Sequence, residues 1–489
     1  MMEKNYILIR YSEIALKKGN RKRFEKQLIS NIRETLRGNI KKIIRYQGRI
    51  VVIVTDVETA IDKLSKIFGI KSISPAVYYR FRDLEDLLNF AADYFKKYVN
   101  NRKFKVECNR VGNHNFTSYN VKKLLGEKLS KYGTVDIKNP EIIVYLEIRD
   151  NDAYLFTDVY KGPGGLPIGS EGKVLALVSG GFDSPVAAWF IMKRGCCVDV
   201  MYCNLGGEIE EYYVLNTVNK LVEWSNGYNT KIYVLDCRTI VEKIMENVKS
   251  GFWLIVFRRI LYTLGERLAL KINAKALVTG ESLGQKSSQT LDNLYSAEYG
   301  IKIPVFRPLI GFDKDEIINI SRKIGLYEYS EKVPEFCAIL SEKPMTKSTK
   351  EEVEKEFKKV EEYLKDIKIR VYDKLSIKNR LVDLEKSLKT YGLGDINLNE
   401  YEIIYIGKPT GLLNIPKIRV MSYTDAKKYL STIDKNKKVL LVCRSGVSVY
   451  DLAKEYSMKG YHIKAMDEKT LRKLLKDKIQ QTNQQLEQQ

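Results

Sequence analysis

Two short stretches of this 489-residue chain place groups where a backbone can cradle an anion. The first is Ser179-Gly180-Gly181-Phe182-Asp183-Ser184, after the apolar run 174–178 and before Pro185-Val186-Ala187-Ala188-Trp189. Such a run suits a strand buried on both faces, and proline in a first helical turn removes only an N–H that has no partner there. The stretch therefore predicts strand, glycine turn and helix start. Two glycines let amides approach a ligand closely, and the helix adds its positive dipole end, so the fitting ligand is phosphate. A Walker A loop is excluded, because its spacing and its Lys-Ser/Thr ending are absent. The second stretch is Cys443-Arg444-Ser445-Gly446, after the apolar run 438–442 and before a helix bearing Leu452 and Ala453. Helix-start amides and Arg444 would favour the thiolate, the nucleophilic form of cysteine.

The elements that must position the first loop alternate: strands at 174–178, 198–202, 231–235 and 276–279, helices at 185–193 and 209–225, and a helical stretch to about 271. Alternation of this kind predicts a doubly wound parallel sheet, which binds ligands at the carboxyl ends of its strands, where Ser179, Cys203 and Gly280 fall. A glycine- and proline-rich hinge at 161–170 precedes it. Before the hinge, strands at 6–10 and 50–54 flank a basic helix with Phe24, Leu28, Ile29 and Ile32 on one face, a small α+β unit. Helices at 83–99 and 119–131 and strands at 104–108, 141–146 and 154–156 follow. Residues 346–390 are dominated by charge at helical spacing, which predicts a solvated connector. A second, smaller α/β unit holds Cys443, and the polar tail from 476 is expected to be disordered.

The chain has 83 Lys and Arg against 61 acidic residues, a net +22, which points to a polyanionic partner. Residues 1–80 alone hold 18 basic and seven acidic residues, half of that excess, so phosphate contacts are expected there, with Lys17, Lys18, Arg21 and Arg23 as candidates. No run approaches the roughly 20 apolar residues of a membrane span, and no secretory leader opens the chain, so a cytoplasmic protein without a membrane partner is expected. Seven cysteines without a C-x-x-C pair suggest reduced thiols and no metal site. Cys108, Cys196, Cys197 and Cys237 are expected as buried small hydrophobes. With two histidines, histidine chemistry has little room.

Longer motifs carry resemblances. Residues 108–118, Cys-Asn-Arg-Val-Gly-Asn-His-Asn-Phe-Thr-Ser, resemble part of a THUMP domain, an RNA-binding module, which implies that Arg110 and His114 sit near an RNA-facing surface. The Ser179–Ser184 loop resembles the PP-loop of ATP-dependent adenylating enzymes. Arg10 to Asn20, Thr279 to Leu291, Arg307 to Ile317 and Pro334-Glu335-Phe336-Cys337 together resemble the tRNA 4-thiouridine synthetase (tRNA uracil 4-sulfurtransferase) family over residues 1 to about 345. The Cys443 loop is similar to the active loop of a rhodanese domain, although Tyr405-Ile406-Gly407-Lys408 replaces the usual Asp-Ile-Arg-like entry and a late basic residue is absent.

The resemblance implies a multidomain α/β and α+β plan: a ferredoxin-like domain at 1–55, THUMP at 56–162, a PP-loop domain with a doubly wound parallel sheet at 171–345, a charged helical linker at 346–395, a rhodanese-like domain at 396–475 and a tail at 476–489. It implies ATP and Mg²⁺, with Ser179, Gly180, Gly181 and Ser184 on the pyrophosphate and Asp183 on Mg²⁺ or the phosphates. Leu177, Val178, Tyr202 and Cys203 would line the adenine pocket, and Arg258, Gly280 and Gln289 would complete it. The implied reaction adenylates a uridine of tRNA, at position eight by family analogy, and replaces its C4 oxygen with sulfur from a persulfide on Cys443. Cys337 would close a disulfide with Cys443 as sulfur leaves. A cysteine desulfurase or a small sulfide source would supply the sulfur. Two other readings stay open: sulfur transfer to a carrier protein for the thiazole of thiamine, and an RNA-binding protein with a vestigial ATP site.

Overall fold

The computed structural model describes residues 5–11, 13–333, 345–392, 396–409, 418–444 and 446–475. The chain divides into two compact units: Met1–Gly172 with Met192–Cys197 and Glu223–Tyr228, and Lys173–Ile191 with Val198–Val222 and Asn229–Gln489. Among the described residues no helix is long and apolar enough to cross a membrane.

The first unit begins with β1 (Tyr6–Arg10), α1 (Arg21–Thr35), β2 (Ile40–Tyr46), β3 (Arg49–Val54), α2 (Val57–Leu64) and β4 (Ser72–Arg80). Their strand order, β2-β3-β1-β4, is that of a ferredoxin-like βαββαβ unit. It extends past residue 55 because β4 is needed to pair with β1, Tyr6 opposite Ala76. Phe24, Leu28 and Ile32 of α1 pack on Ile7, Ile9, Ile50 and Val52, the burial that the apolar spacing of the helix requires.

Next come α3 (Leu84–Val99), β5 (Lys103–Val111), α4 (Ser118–Leu129), β6 (Thr134–Val135), β7 (Ile142–Arg149), β8 (Asp152–Phe156) and β9 (Tyr160–Lys161). Thr117 and Asn120 close a capping box at the start of α4. Residues 77–80 of β4 pair with β8, so the two halves share one nine-stranded sheet.

The second unit opens with β10 (Lys173–Leu177), α5 (Asp183–Lys193), β11 (Cys197–Asn204), α6 (Gly207–Val222), β12 (Ile232–Asp236), α7 (Arg238–Asn247), α8 (Trp253–Lys271), β13 (Leu277–Val278), α9 (Leu291–Glu298), β14 (Val305–Phe306), α10 (Lys314–Lys323) and α11 (Tyr327–Ser330). The strand order is β14-β13-β10-β11-β12-β15, where β15 (Ile369–Tyr372) lies beyond α12 (Lys350–Lys358). β10 pairs parallel with β13, and β11 with β12. The order reverses between β10 and β13, which opens a crevice at their carboxyl ends.

The charged stretch 346–390 differs from the solvated connector expected of it. Val353, Phe357, Val360 and Leu364 recur at helical spacing and are buried against α8. β15 extends the sheet antiparallel to β12, and α13 (Ser376–Tyr391) buries Ile377, Leu384 and Leu388. Charge on the outward face masked this apolar stripe. Beyond α13, β16 (Glu402–Ile406), β17 (Ile418–Met421), α14 (Tyr423–Leu430), β18 (Val439–Cys443), α15 (Val447–Met458) and β19 (Ile463–Asp467) form a four-stranded parallel sheet ordered β17-β16-β18-β19.

One cysteine expectation is overturned. Cys203 and Cys237 form a disulfide, with their Cα atoms 5.6 Å apart. The parallel register sets Cys203 of β11 opposite Leu235 of β12, and Cys237 follows two residues later, its N–H donating to the Asn204 carbonyl. Adjacent strand ends thus join two residues that are 34 apart in sequence. Cys108 and Cys196 are buried thiols, and burial pushes Cys108 up to about 12, as befits an inert side chain.

Candidate active site

Buried Leu175 and Ala176 of β10 pair with Leu277 and Val278 of β13, so the two strands end together at the crevice. The loop from Ser179 to Ser184 crosses that edge and is closed by its last side chain. The Ser179 N–H donates to Ser184 Oγ at 2.8 Å, and the two hydroxyls lie 3.2 Å apart. This fixes the loop, and among the described residues a β-carbon on Gly181 would meet nothing within 4 Å. Gly180 is tighter, since a β-carbon there would strike Val333. Gly280, just past β13, faces backbone instead of a side chain. A side chain there would run into the backbone of Asp183 and Ser184, so glycine is what allows the two strand ends to close on one another.

Asp183 opens α5 and is held from two sides. Lys314 Nζ lies 3.0 Å from its Oδ1, and Gln285 Nε2 donates to its Oδ2 at 3.3 Å. Lys314 stands at the start of α10, where Asp313 and Glu316 form a capping box, and it also lies over the Phe182 ring, itself stacked on Tyr327. Lys314 lies inside the Arg307 to Ile317 motif, but nothing in its neighbours along the chain assigns it a role. A lysine on the first turn of a helix 131 residues from its partner carries no local signature.

Behind the crevice lies a buried carboxylate, Glu281, 6 % exposed. It accepts from Thr279 at 2.6 Å, Arg307 at 2.8 Å and Tyr262 at 2.5 Å, and pairs with Arg258 at 3.3 Å. Burial pushes its carboxyl up, but the two guanidiniums outweigh that and hold it below the usual carboxylate range. Arg258 also donates to Ser288 at 3.1 Å, in the turn that carries Gln289. It is thus no free surface charge on α8. The buried Gln285 Oε1 and Gln289 Oε1 have no hydrogen-bond partner among the described residues, which is the demand a bound polar ligand would meet.

The residues expected around adenine lie at the ends of two adjacent strands, β10 and β11. Val178 and Tyr202 are buried and Leu177 half-buried, and the Val178 N–H donates to the Met201 carbonyl. The Cys203 sulfur is committed to Cys237. Among the described residues no cluster of three His, Cys, Asp or Glu side chains could hold a metal, so a divalent ion would depend on Asp183 together with phosphate oxygens, a donor set that suits Mg²⁺.

Cys443 ends β18 and is 6 % exposed. The Ser448 hydroxyl donates to its sulfur at 3.4 Å, a contact without a sequence signal beyond its place in the first turn of α15. Gly446, at φ 80°, turns the chain into that helix beside Asp467. Cys337 lies outside the described residues, as does Ser445.

Of the candidate RNA contacts, Arg110 reaches His114 Nδ1 at 2.7 Å and the Gly112 carbonyl at 2.9 Å. A guanidinium can only donate, so Nδ1 accepts and Nε2–H donates to the Asp150 carbonyl at 2.8 Å. Arg21 is bound to Glu25 and Tyr11, whereas Arg23 and Lys17 lie over the Phe24 ring. Lys18 lies in a short 3₁₀ turn before α1.

Family models described as Thiamine biosynthesis protein (ThiI), ThiI ferredoxin-like domain and THUMP domain match residues 169–362, 6–74 and 81–158. The tRNA sulfurtransferase of Pyrobaculum aerophilum is 45 % identical over 351 residues, 71 % of this chain and 72 % of that protein. A probable tRNA sulfurtransferase of Saccharolobus solfataricus is 46 % identical over 336 residues, covering 68 % of this chain and 90 % of that one. Among solved structures, a 4-thiouridine synthetase in complex with RNA and ATP superposes with a TM-score of 0.66 at 32 % identity, covering 75 % of this chain and 99 % of that one.

Proposed function

The chain belongs to the ThiI family of tRNA sulfurtransferases, and from that premise we propose that it converts a uridine of tRNA, at position eight, into 4-thiouridine by adenylation followed by sulfur transfer. Uracil C4 holds its oxygen firmly, and attaching AMP to that oxygen creates a leaving group. The observation that carries this reading is the open, self-closed loop Ser179–Ser184 at the strand-order reversal, with Asp183 and Lys314 beside it. Amides of Gly180 and Gly181 would take the pyrophosphate of ATP, and Lys314 would exchange its partner Asp183 for phosphate oxygens. Mg²⁺, held by Asp183 and those oxygens, would supply neutralising charge. Arg258, Gly280 and Gln289 would shape the nucleoside end, with Leu177, Val178, Tyr202 and Cys203 along its wall.

The C-terminal sheet is proposed to act as a rhodanese-like sulfur carrier. The terminal sulfur of a Cys443 persulfide attacks C4 and AMP departs, leaving a C4–S–S–Cys443 link. The Cys337 thiolate then attacks the Cys443 sulfur, which releases 4-thiouridine and leaves a Cys337–Cys443 disulfide. A thiol reductant restores both cysteines, and a desulfurase or a low-molecular-weight persulfide reloads Cys443. The ferredoxin-like and THUMP halves would hold tRNA, Arg110, His114, Lys17, Lys18, Arg21 and Arg23 among their contacts. Sulfur transfer to a thiazole carrier is the second reading, favoured by the thiamine description of the matching family model. Mass spectrometry of nucleosides from tRNA incubated with the protein, ATP, Mg²⁺ and a persulfide donor tests the proposal. Absence of 4-thiouridine overturns it.

A further inference from the structure

Helix α6 starts at the carboxyl end of β11, the strand that carries Tyr202 and Cys203, and its first two turns face the Cys443-bearing sheet. Glu208 binds Lys454 of α15 at 2.7 Å and Ser387 of α13 at 2.8 Å, and lies 3.3 Å from the Tyr450 hydroxyl of α15. Glu211, 1 % exposed, binds Arg370 of β15 at 2.6 Å and Arg380 of α13 at 2.9 Å. Arg238, at the start of α7, grips Asp236 and reaches Asp451 of α15 at 3.0 Å. Gly207, at φ 63°, allows the approach, since a β-carbon there would come within 3.2 Å of the Asp451 carboxylate. Ile209 and Tyr212 of α6 also pack against the core that contains Cys443, Tyr450 and Leu388.

A polar cavity of about 250 Å³ remains between Asn204, Asp236, Arg370 and Asp451. A seam with an apolar base, paired charges and room for water fixes register and orientation more than it adds stability. Both partners meet near the ends that matter. α15 is the helix entered directly from the Cys443 loop, and α6 the helix entered directly from the nucleotide-facing edge of β11.

The geometry points to the first turns of α6, with Arg238 beside them, as the seat on which the cysteine-bearing domain is set for sulfur delivery, Asp451 and Lys454 being its positioning residues. This assignment rests on the sulfur-relay reading of Cys443 given above. Its test separates delivery from everything upstream. Protein preloaded as the Cys443 persulfide is mixed with tRNA, ATP and Mg²⁺, and single-turnover 4-thiouridine formation is followed beside pyrophosphate release. Parallel runs supply inorganic sulfide to unloaded protein. Asp451→Ala combined with Lys454→Ala is expected to slow transfer from preloaded Cys443 at least tenfold, with Cys443 loading, pyrophosphate release and sulfide-driven thiolation unchanged. Lys454→Glu should do the same and Glu208→Lys should rescue it, which a folding defect would not permit. Unchanged transfer in the double alanine variant, or an equal fall with sulfide, overturns the assignment. If Cys443→Ala still thiolates tRNA from a persulfide donor, the relay reading itself fails, and the seat loses its purpose.

Discussion

The Ser179–Ser184 loop and the Cys443 loop are built alike and used differently. Each leaves the carboxyl end of a buried parallel strand, turns through glycine and enters a helix whose free amides attract negative charge. In the first, the side chain that closes the loop, Ser184, bonds back to Ser179, and no described residue lies within 4 Å of a β-carbon on Gly181. In the second, Cys443 itself stands at the start of the turn, with the Ser448 hydroxyl on its sulfur. Helix-start amides are therefore common currency between them. On the proposed function, the side chains at the rim decide whether the cradle receives an anion from outside or stabilises one of its own.

The comparison breaks most sharply at Asp183. Asp183→Ala is expected to lower both pyrophosphate release and thiolation by about a thousandfold, the scale seen when a preorganised charged group is lost from a reacting centre. Cys443→Ala should abolish persulfide-driven thiolation while pyrophosphate release in the first turnover persists. Rapid-quench assays of pyrophosphate and nucleoside mass spectrometry read the two separately, and loss of both in Cys443→Ala would merge the two roles.

Support beneath the first loop comes next. Glu281→Gln leaves Arg258 without its carboxylate and Arg307 with Glu298 alone, and should cost about 3 kcal/mol of unfolding free energy in urea titrations. Because the folded carboxyl is held below its ordinary value, its contribution is complete above the unfolded value of about 4.3 and is lost as pH falls through the lower folded one. That acid-side slope should be missing from the variant. Gly280→Ala should cost about 1–3 kcal/mol, mostly as weaker ATP binding by calorimetry, because the added methyl group meets loop backbone that cannot move aside.

The smallest effect sharpens the second loop. Ser448→Ala removes one hydrogen bond to sulfur, worth about 1 kcal/mol or less, and should slow alkylation of Cys443 by about fivefold or less. The rate at which the Cys443 peptide is alkylated at fixed pH measures it, and an unchanged rate would leave the Ser448 contact without a part in the reactivity of the sulfur.

Both loops were legible in the sequence because their signals are local: an apolar run, glycine, and a helix start within a dozen residues. What escaped was held by distance. Lys314 meets Asp183 across 131 residues, and Cys203 finds Cys237 only through the register of β11 and β12. Glu281 lies in a recognised motif, but its role depends on Arg258 and Tyr262 of α8 and on Arg307 just past β14. The stretch 346–390 misled for another reason. Its charges outnumber its apolar residues, and only the spacing of Val353, Phe357, Val360 and Leu364 reveals that one face is core.

Strand β4 carries a consequence for dissecting the protein. Its first half completes the ferredoxin-like sheet and its second half begins the pairing with β8, so residues 75–80, between the two matched family segments, lie inside a hydrogen-bonded strand. A fragment cut there would expose unpaired strand edge on both products and invite aggregation. The two halves should instead exchange their amide hydrogens as one cooperative block and melt in one transition.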